Sequence, residues 1–146
     1  MTERSVWITA FVLPGVAIAY LAIVLPRVAA TSAGDVSWVA PMLWCMGAII
    51  LGVIVATVAS GIGSEVLAEV RGTESDLGDD DIRDKEIGRF GDARSYSLGG
   101  VLSISTLVLA MVDAEPFWIA TSLFLSGIIA GTYGSIVKIR AYRGGF

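Results

Sequence analysis

Five aspartates, Asp76, Asp79, Asp80, Asp81 and Asp84, fall within one short stretch of a chain that is 55% hydrophobic and only 16% charged. Carboxylates at this density are the ligand type that Ca²⁺ and Mg²⁺ take. The stretch lacks the glycine at position six and the glutamate at position twelve that an EF-hand loop needs. It therefore reads as a weak, unspecific attractor of cations, not a dedicated site. Glu65 and Glu69 stand four apart on one helical face, a spacing able to ligate metal, but no third ligand type lies near and a solvated face fits better. The chain has no histidine, which removes His-based zinc and haem ligation and His-driven acid–base chemistry. Its single cysteine, Cys45, sits in an apolar run and reads as a small packing residue. With no nucleophile–base pair and no cofactor motif, we expect no catalytic residue, no metal site and no cofactor.

The elements that carry these residues follow from hydropathy. The 146 residues have a mean hydropathy of +0.75, and charge is absent over long runs and then returns in bunches. A soluble domain carries about a quarter charged residues, more evenly spread. Residues 6–26 form an apolar run that reaches about 31 Å as a helix, enough for a hydrocarbon core. Further runs cover about 38–60, 97–112 and 116–137, the third being short. None shows the polar face of a soluble helix. The expected fold is all-α: a single polytopic membrane domain of four transmembrane helices arranged as two antiparallel pairs. The "ATSA" at 30–33 resembles a signal cleavage site, but the preceding apolar run is too long for a signal core, so we expect it to be retained.

Charge sets the orientation. Arg4 precedes the first span, Arg71, Arg83, Lys85, Arg89 and Arg94 lie between the second and third, and Lys138, Arg140 and Arg143 follow the fourth. Of Lys and Arg, the other two connections hold only Arg27. This bias predicts a multi-pass protein of the cell membrane with both termini and the 61–96 segment in the cytoplasm. Trp38, Phe117 and Trp118 then fall at the outer interface, and Trp7, Tyr96 and Tyr142 at the inner one. The net charge of −4 argues against nucleic acid as a partner.

Close helix packing in lipid depends on small residues. Helix 2 has Ala48, Gly52 and Ala56 at four-residue spacing, and helix 4 has Gly127, Gly131 and Ser135, with Ala130 and Gly134 beside them. These stripes are expected to pack within one four-helix bundle; a homodimer seam through helix 4 is the alternative. Ser103, Ser105 and Thr106 of helix 3 are expected to hydrogen-bond between helices or back to the preceding turn. No ionisable residue lies well inside a span, which argues against proton- or ion-coupled transport.

The segment 61–96 carries most of the remaining charge. "IGSEVLAEVRG" continues helix 2 beyond the membrane to Gly72, and "GTESDLGDD" reads as an acidic turn. A short interfacial amphipathic helix capped by Asp81 is then expected before helix 3, with Ile82, Ile87 and Phe90 as its apolar side. "DIRDKEI", followed by "ARSYSLGG" at a span start, resembles the D-E-R-D-x-x-I signature of a family of small bacterial and archaeal four-helix membrane proteins of unknown function. Asp81, Arg83, Asp84 and Ile87 match it, and Ile82 stands where the signature has Glu. The resemblance implies no catalytic residues; in such families a helix-turn-helix regulator is often encoded alongside. The favoured reading is a non-enzymatic membrane protein acting through this segment in partner docking, sensing or regulation of assembly. Asp81, Arg83, Asp84, Ile87, Arg89 and Phe90 are its interface candidates, with the bilayer and a cytoplasmic protein as partners. A small oligomeric transporter or channel is the alternative.

Overall fold

The computed structural model describes the backbone of residues 3–31, 33–71 and 77–144, and side chains over the same residues except 3, 4, 33, 56, 57, 59–71 and 77–81. It contains α1 (Glu3–Ala30), α2 (Val39–Arg71), α3 (Leu77–Met111) and α4 (Pro116–Gly144), with a 3₁₀ turn at Ala33–Asp35. No strand occurs among the described residues, so the all-α expectation holds. Two helices are long and apolar enough to cross a membrane, over Ser5–Ala30 and Pro116–Gly144. The described apolar part of α2, Val39–Val55, is shorter. Pro116 opens α4 and Pro41 lies in the first turn of α2, where a missing N–H costs little.

One expectation is corrected. The short amphipathic helix and the third span are not separate elements, because α3 runs unbroken for 35 residues from Leu77. Asp81 therefore lies inside a helix instead of capping one, and 77–80 are helical where a turn was expected. The stretch has no proline, and its glycines cost only about 1 kcal/mol each in a helix. One of them, Gly91, is put to use in packing against α4. Ile82 and Phe90 are exposed while Ile87 is fully buried, so the three do not form one apolar side. Residues 72–76, the rest of the expected turn, lie outside the described residues.

The helices pack in the order α2, α1, α4, α3. Val12 of α1 meets Gly52 of α2, while Tyr20 and Val24 cluster with Met42 and Cys45, so α1 and α2 run antiparallel. Ser95 meets Ala130 and Thr106 meets Ser122, which makes α3 and α4 the second antiparallel pair. Tyr20 bonds Thr121 and Leu13 meets Gly131, so α1 and α4 are antiparallel as well. The start of α1, the end of α4 and the start of α3 consequently share one end of the molecule.

At the opposite end, Trp38 and Trp118 each pack edge-on against Phe117, at centroid distances of 6.1 and 4.8 Å. Beneath them lies the core of Tyr20, Val24, Met42, Cys45 and Phe117. The α3–α4 turn is closed by paired backbone bonds: Ala114 N–H donates to the Leu109 carbonyl at 3.0 Å and Asp113 N–H to Ala110 at 3.3 Å. This is a Schellman arrangement, which places its C′ residue in the left-handed region. Asp113 occupies that position with φ 53°.

Candidate functional site

The α3 face toward α4 is a stripe at near four-residue spacing: Gly91, Ser95, Gly99, Leu102 and Thr106. Its small members let the two backbones come close. A Cβ added at Gly134 would stand 2.8 Å from the Ser95 Cβ and 3.2 Å from the Gly91 carbonyl oxygen. A Cβ at Gly91 would overlap the aliphatic stem of Lys138. Gly91 is thus the slot in which the lysine lies. The Lys138 Nζ donates to Asp92 Oδ1 at 2.7 Å, with the lysine side chain 10% exposed and the aspartate 59%. The pair links α3 to α4 with one member desolvated and the other facing outward.

Beside the pair, Val6, Thr9 and Leu13 of α1 complete a cavity of about 170 Å³ with Ser95, Gly131, Gly134 and Ser135. Every hydroxyl lining it donates to a carbonyl. Thr9 bonds Ser5 at 3.0 Å, Ser95 bonds Ala130 at 2.8 Å and Ser135 bonds Gly131 at 3.0 Å. Nearby, the Arg143 guanidinium lies 5.0 Å from the centre of the Trp7 ring, joining the end of α4 to the start of α1.

The sequence-derived packing residues divide. Gly131 faces α1, where a Cβ would come within 2.8 Å of Leu13, and Ser135 is buried. Gly127 has nothing within 4 Å, and borders an open apolar cavity of about 310 Å³ between α1, α2 and α4. On α2, Gly52 meets Val12, Ala48 is exposed, and the side chain of Ala56 lies outside the described residues. The α2 face in use follows Met42, Cys45, Ile49 and Gly52, a helical stripe that a strict four-residue spacing leaves after one step. The serine expectation holds: Ser103 bonds back to Gly99 at 2.8 Å, while Ser105 and Thr106 bond Ser122 across to α4 at 3.2 and 3.0 Å.

Among the interface candidates, Arg83 and Arg89 are exposed and Asp84 is half-buried. Phe90 is partly exposed, with the Arg94 guanidinium 5.4 Å from its ring centre. Ile87, fully buried, belongs to the core and not to an outward surface. The side chain of Asp81 lies outside the described residues, as do those of the acidic cluster 76–80. Among the described residues, no three His, Cys, Asp or Glu side chains gather as a metal site would require.

Asp92, Ser95, Thr9 and the Tyr20–Thr121 pair did not stand out in the sequence. The signal for the first two was present as Gly91, Ser95 and Gly99 at four-residue steps, with a charge beside the first. The same device recurs on α4, where Ala130 and Gly134 lead to Lys138. Comparison with known proteins finds no matching family model, no matching curated protein and no matching solved structure.

Proposed function

We propose that this chain is a non-enzymatic cell-membrane protein that crosses the bilayer four times, with both termini cytoplasmic, and acts by docking a cytoplasmic partner on the start of α3. The observation that carries the membrane reading is where the apolar side chains point. Only 17% of the most apolar window of α1 and 33% of that of α4 is buried inside the protein. Trp44 is 80% exposed, and Phe11, Ile18, Leu51, Val101, Leu107 and Met111 also face outward. An exposed apolar surface of this extent is stable against lipid and aggregates in water. The aromatic layer of Trp38, Phe117 and Trp118 at one end, and the Asp92–Lys138 pair about 31 Å away along α4, bracket one hydrocarbon thickness.

The docking reading rests on α3. Its first turns carry Arg83, Lys85, Glu86 and Arg89 at the surface, while Ile87 ties the same turns into the protein. Such an arrangement offers charge on a fixed support, and it fits the resemblance to the small four-helix family with the D-E-R-D-x-x-I signature. Single cysteines introduced at Asp35 and Arg89 of a Cys45→Ala chain test the topology. Position 35 should react with an impermeant maleimide from outside intact cells, and position 89 only after lysis; the reverse pattern refutes it. Co-purification with wild type and with Arg83, Asp84 and Arg89 changed to Ala tests the docking. Unchanged partners and unchanged assembly sink it.

A further inference from the structure

The cavity between α1, α3 and α4 has a lopsided hydrogen-bonding character. Thr9, Ser95 and Ser135 all use their hydrogens on carbonyls, so each presents lone pairs to the cavity. The Asp92 carboxylate adds further acceptors. The donor among these lining side chains is Lys138, which has three N–H groups and gives one to Asp92 at 2.7 Å. An ammonium at the end of a side chain only 10% exposed gains from acceptors for the other two. The site is neutral overall, so a bare anion meets the carboxylate and a bare cation meets the ammonium. Its complement is a small zwitterion, with an oxyanion for Lys138 and a primary ammonium whose N–H groups reach Asp92 and the hydroxyl oxygens.

We infer that this cavity binds the phosphoethanolamine group of a membrane phospholipid. The volume of 170 Å³ equals the space of about five or six waters, which suits a head group and not a whole lipid. Val6, Leu13 and Gly131 give the cavity an apolar wall. The charged pair lies about 31 Å from Phe117 along α4, at the hydrocarbon edge next to the head-group layer if the chain spans the bilayer as proposed above. The inference rests on that reading for the lipid source, while the zwitterion chemistry stands on the cavity alone.

The test uses the full chain in detergent, freed of lipid and then offered phosphatidylethanolamine, phosphatidylcholine or phosphatidylglycerol with the same acyl chains. Native mass spectrometry reads retention. Phosphatidylethanolamine should bind about tenfold or more tighter than phosphatidylcholine, whose quaternary ammonium has no N–H to donate. Lys138→Gln should weaken phosphatidylethanolamine and phosphatidylglycerol together. Asp92→Asn, which keeps the side chain's shape and an amide oxygen to accept from Lys138, should remove the preference for ethanolamine over choline and spare phosphatidylglycerol. Equal binding of the ethanolamine and choline lipids to wild type, or a preference that survives both variants, overturns the inference. Free phosphoethanolamine, with phosphocholine as its control, separates the sources. If it binds where the lipid does not, the zwitterion site stands and the lipid source falls. Ethanolamine selectivity in detergent beside a failed maleimide topology overturns the membrane reading and leaves the site intact.

Discussion

Gly134→Ala sets two opposing effects against each other, and the structure decides between them. Replacing glycine by alanine within a helix contributes up to about 1 kcal/mol through lower backbone entropy and better propensity. At Gly134 the new methyl stands 2.8 Å from the Ser95 Cβ and 3.2 Å from the Gly91 carbonyl oxygen. Neither atom is the free end of a flexible side chain, so α3 must move away from α4. Overpacking of this kind costs about 1–3 kcal/mol, and the shift also strains the Ser95–Ala130 hydrogen bond. The expected net effect is a loss of about 1–2 kcal/mol. Gly127→Ala is the internal control, because nothing lies within 4 Å of its Cβ; it should be neutral or stabilise by up to about 1 kcal/mol. Reversible unfolding in mixed micelles, followed by far-UV circular dichroism, reads both. Ser95→Gly removes the nearest clashing atom, so the Gly134→Ala/Ser95→Gly pair should be better than additive by about 1 kcal/mol. If Gly134→Ala is as benign as Gly127→Ala, or the pair is additive, the close approach of α3 and α4 at this level is refuted.

The same unfolding assay reads four further expectations. Asp113→Val should cost about 1–2 kcal/mol, since a β-branched residue at φ 53° is strained, whereas Asp113→Gly should cost nothing. Tyr20→Phe deletes the buried 2.9 Å bond to Thr121 and should cost about 0.5–1.5 kcal/mol, with the coupling to Thr121→Val of similar size in a double-mutant cycle. Asp92→Ala leaves the buried Lys138 ammonium without its carboxylate and should cost about 1–3 kcal/mol, most of it recovered by adding Lys138→Met; an additive pair contradicts this. Thr132→Val replaces a buried hydroxyl that has no partner and should be neutral or stabilise by up to about 1 kcal/mol.

Hydropathy runs and proline positions made the helices legible in the sequence. They placed α4 from Pro116 and carried α2 past its apolar stretch to Arg71. Periodicity failed at α3, where charge and glycine were read as interruptions. Both are consistent with one helix, because charge is tolerated on an outward face and Gly91 is occupied by a side chain from another element. That side chain belongs to Lys138, whose ion-pair partner Asp92 is 46 positions away, and no local pattern encodes such a partner. The packing stripes were half legible for a related reason. Spacing names a face of a helix but not which neighbour lies on it, so Gly127 looked equivalent to Gly131 although only the latter has a side chain against it. Lys138 was read as a marker of orientation alone. Its burial depends on Gly91 and Gly134 approaching each other, which is a property of two helices together.

The unbroken course of α3 has a mechanical consequence. The helix is about 52 Å long, and the part from Leu77 to Asp92 is an arm of about 22 Å on the same rod that bears the α4 contact. Rotating that rod by about five degrees about Asp92 swings its tip by about 2 Å. Stiffness works in both directions. A load on the first turns of α3 acts on the Gly91–Gly134 contact as torque, and a change in how Lys138 lies in its slot is magnified at the tip. A separate interfacial helix joined by a hinge would have dissipated both.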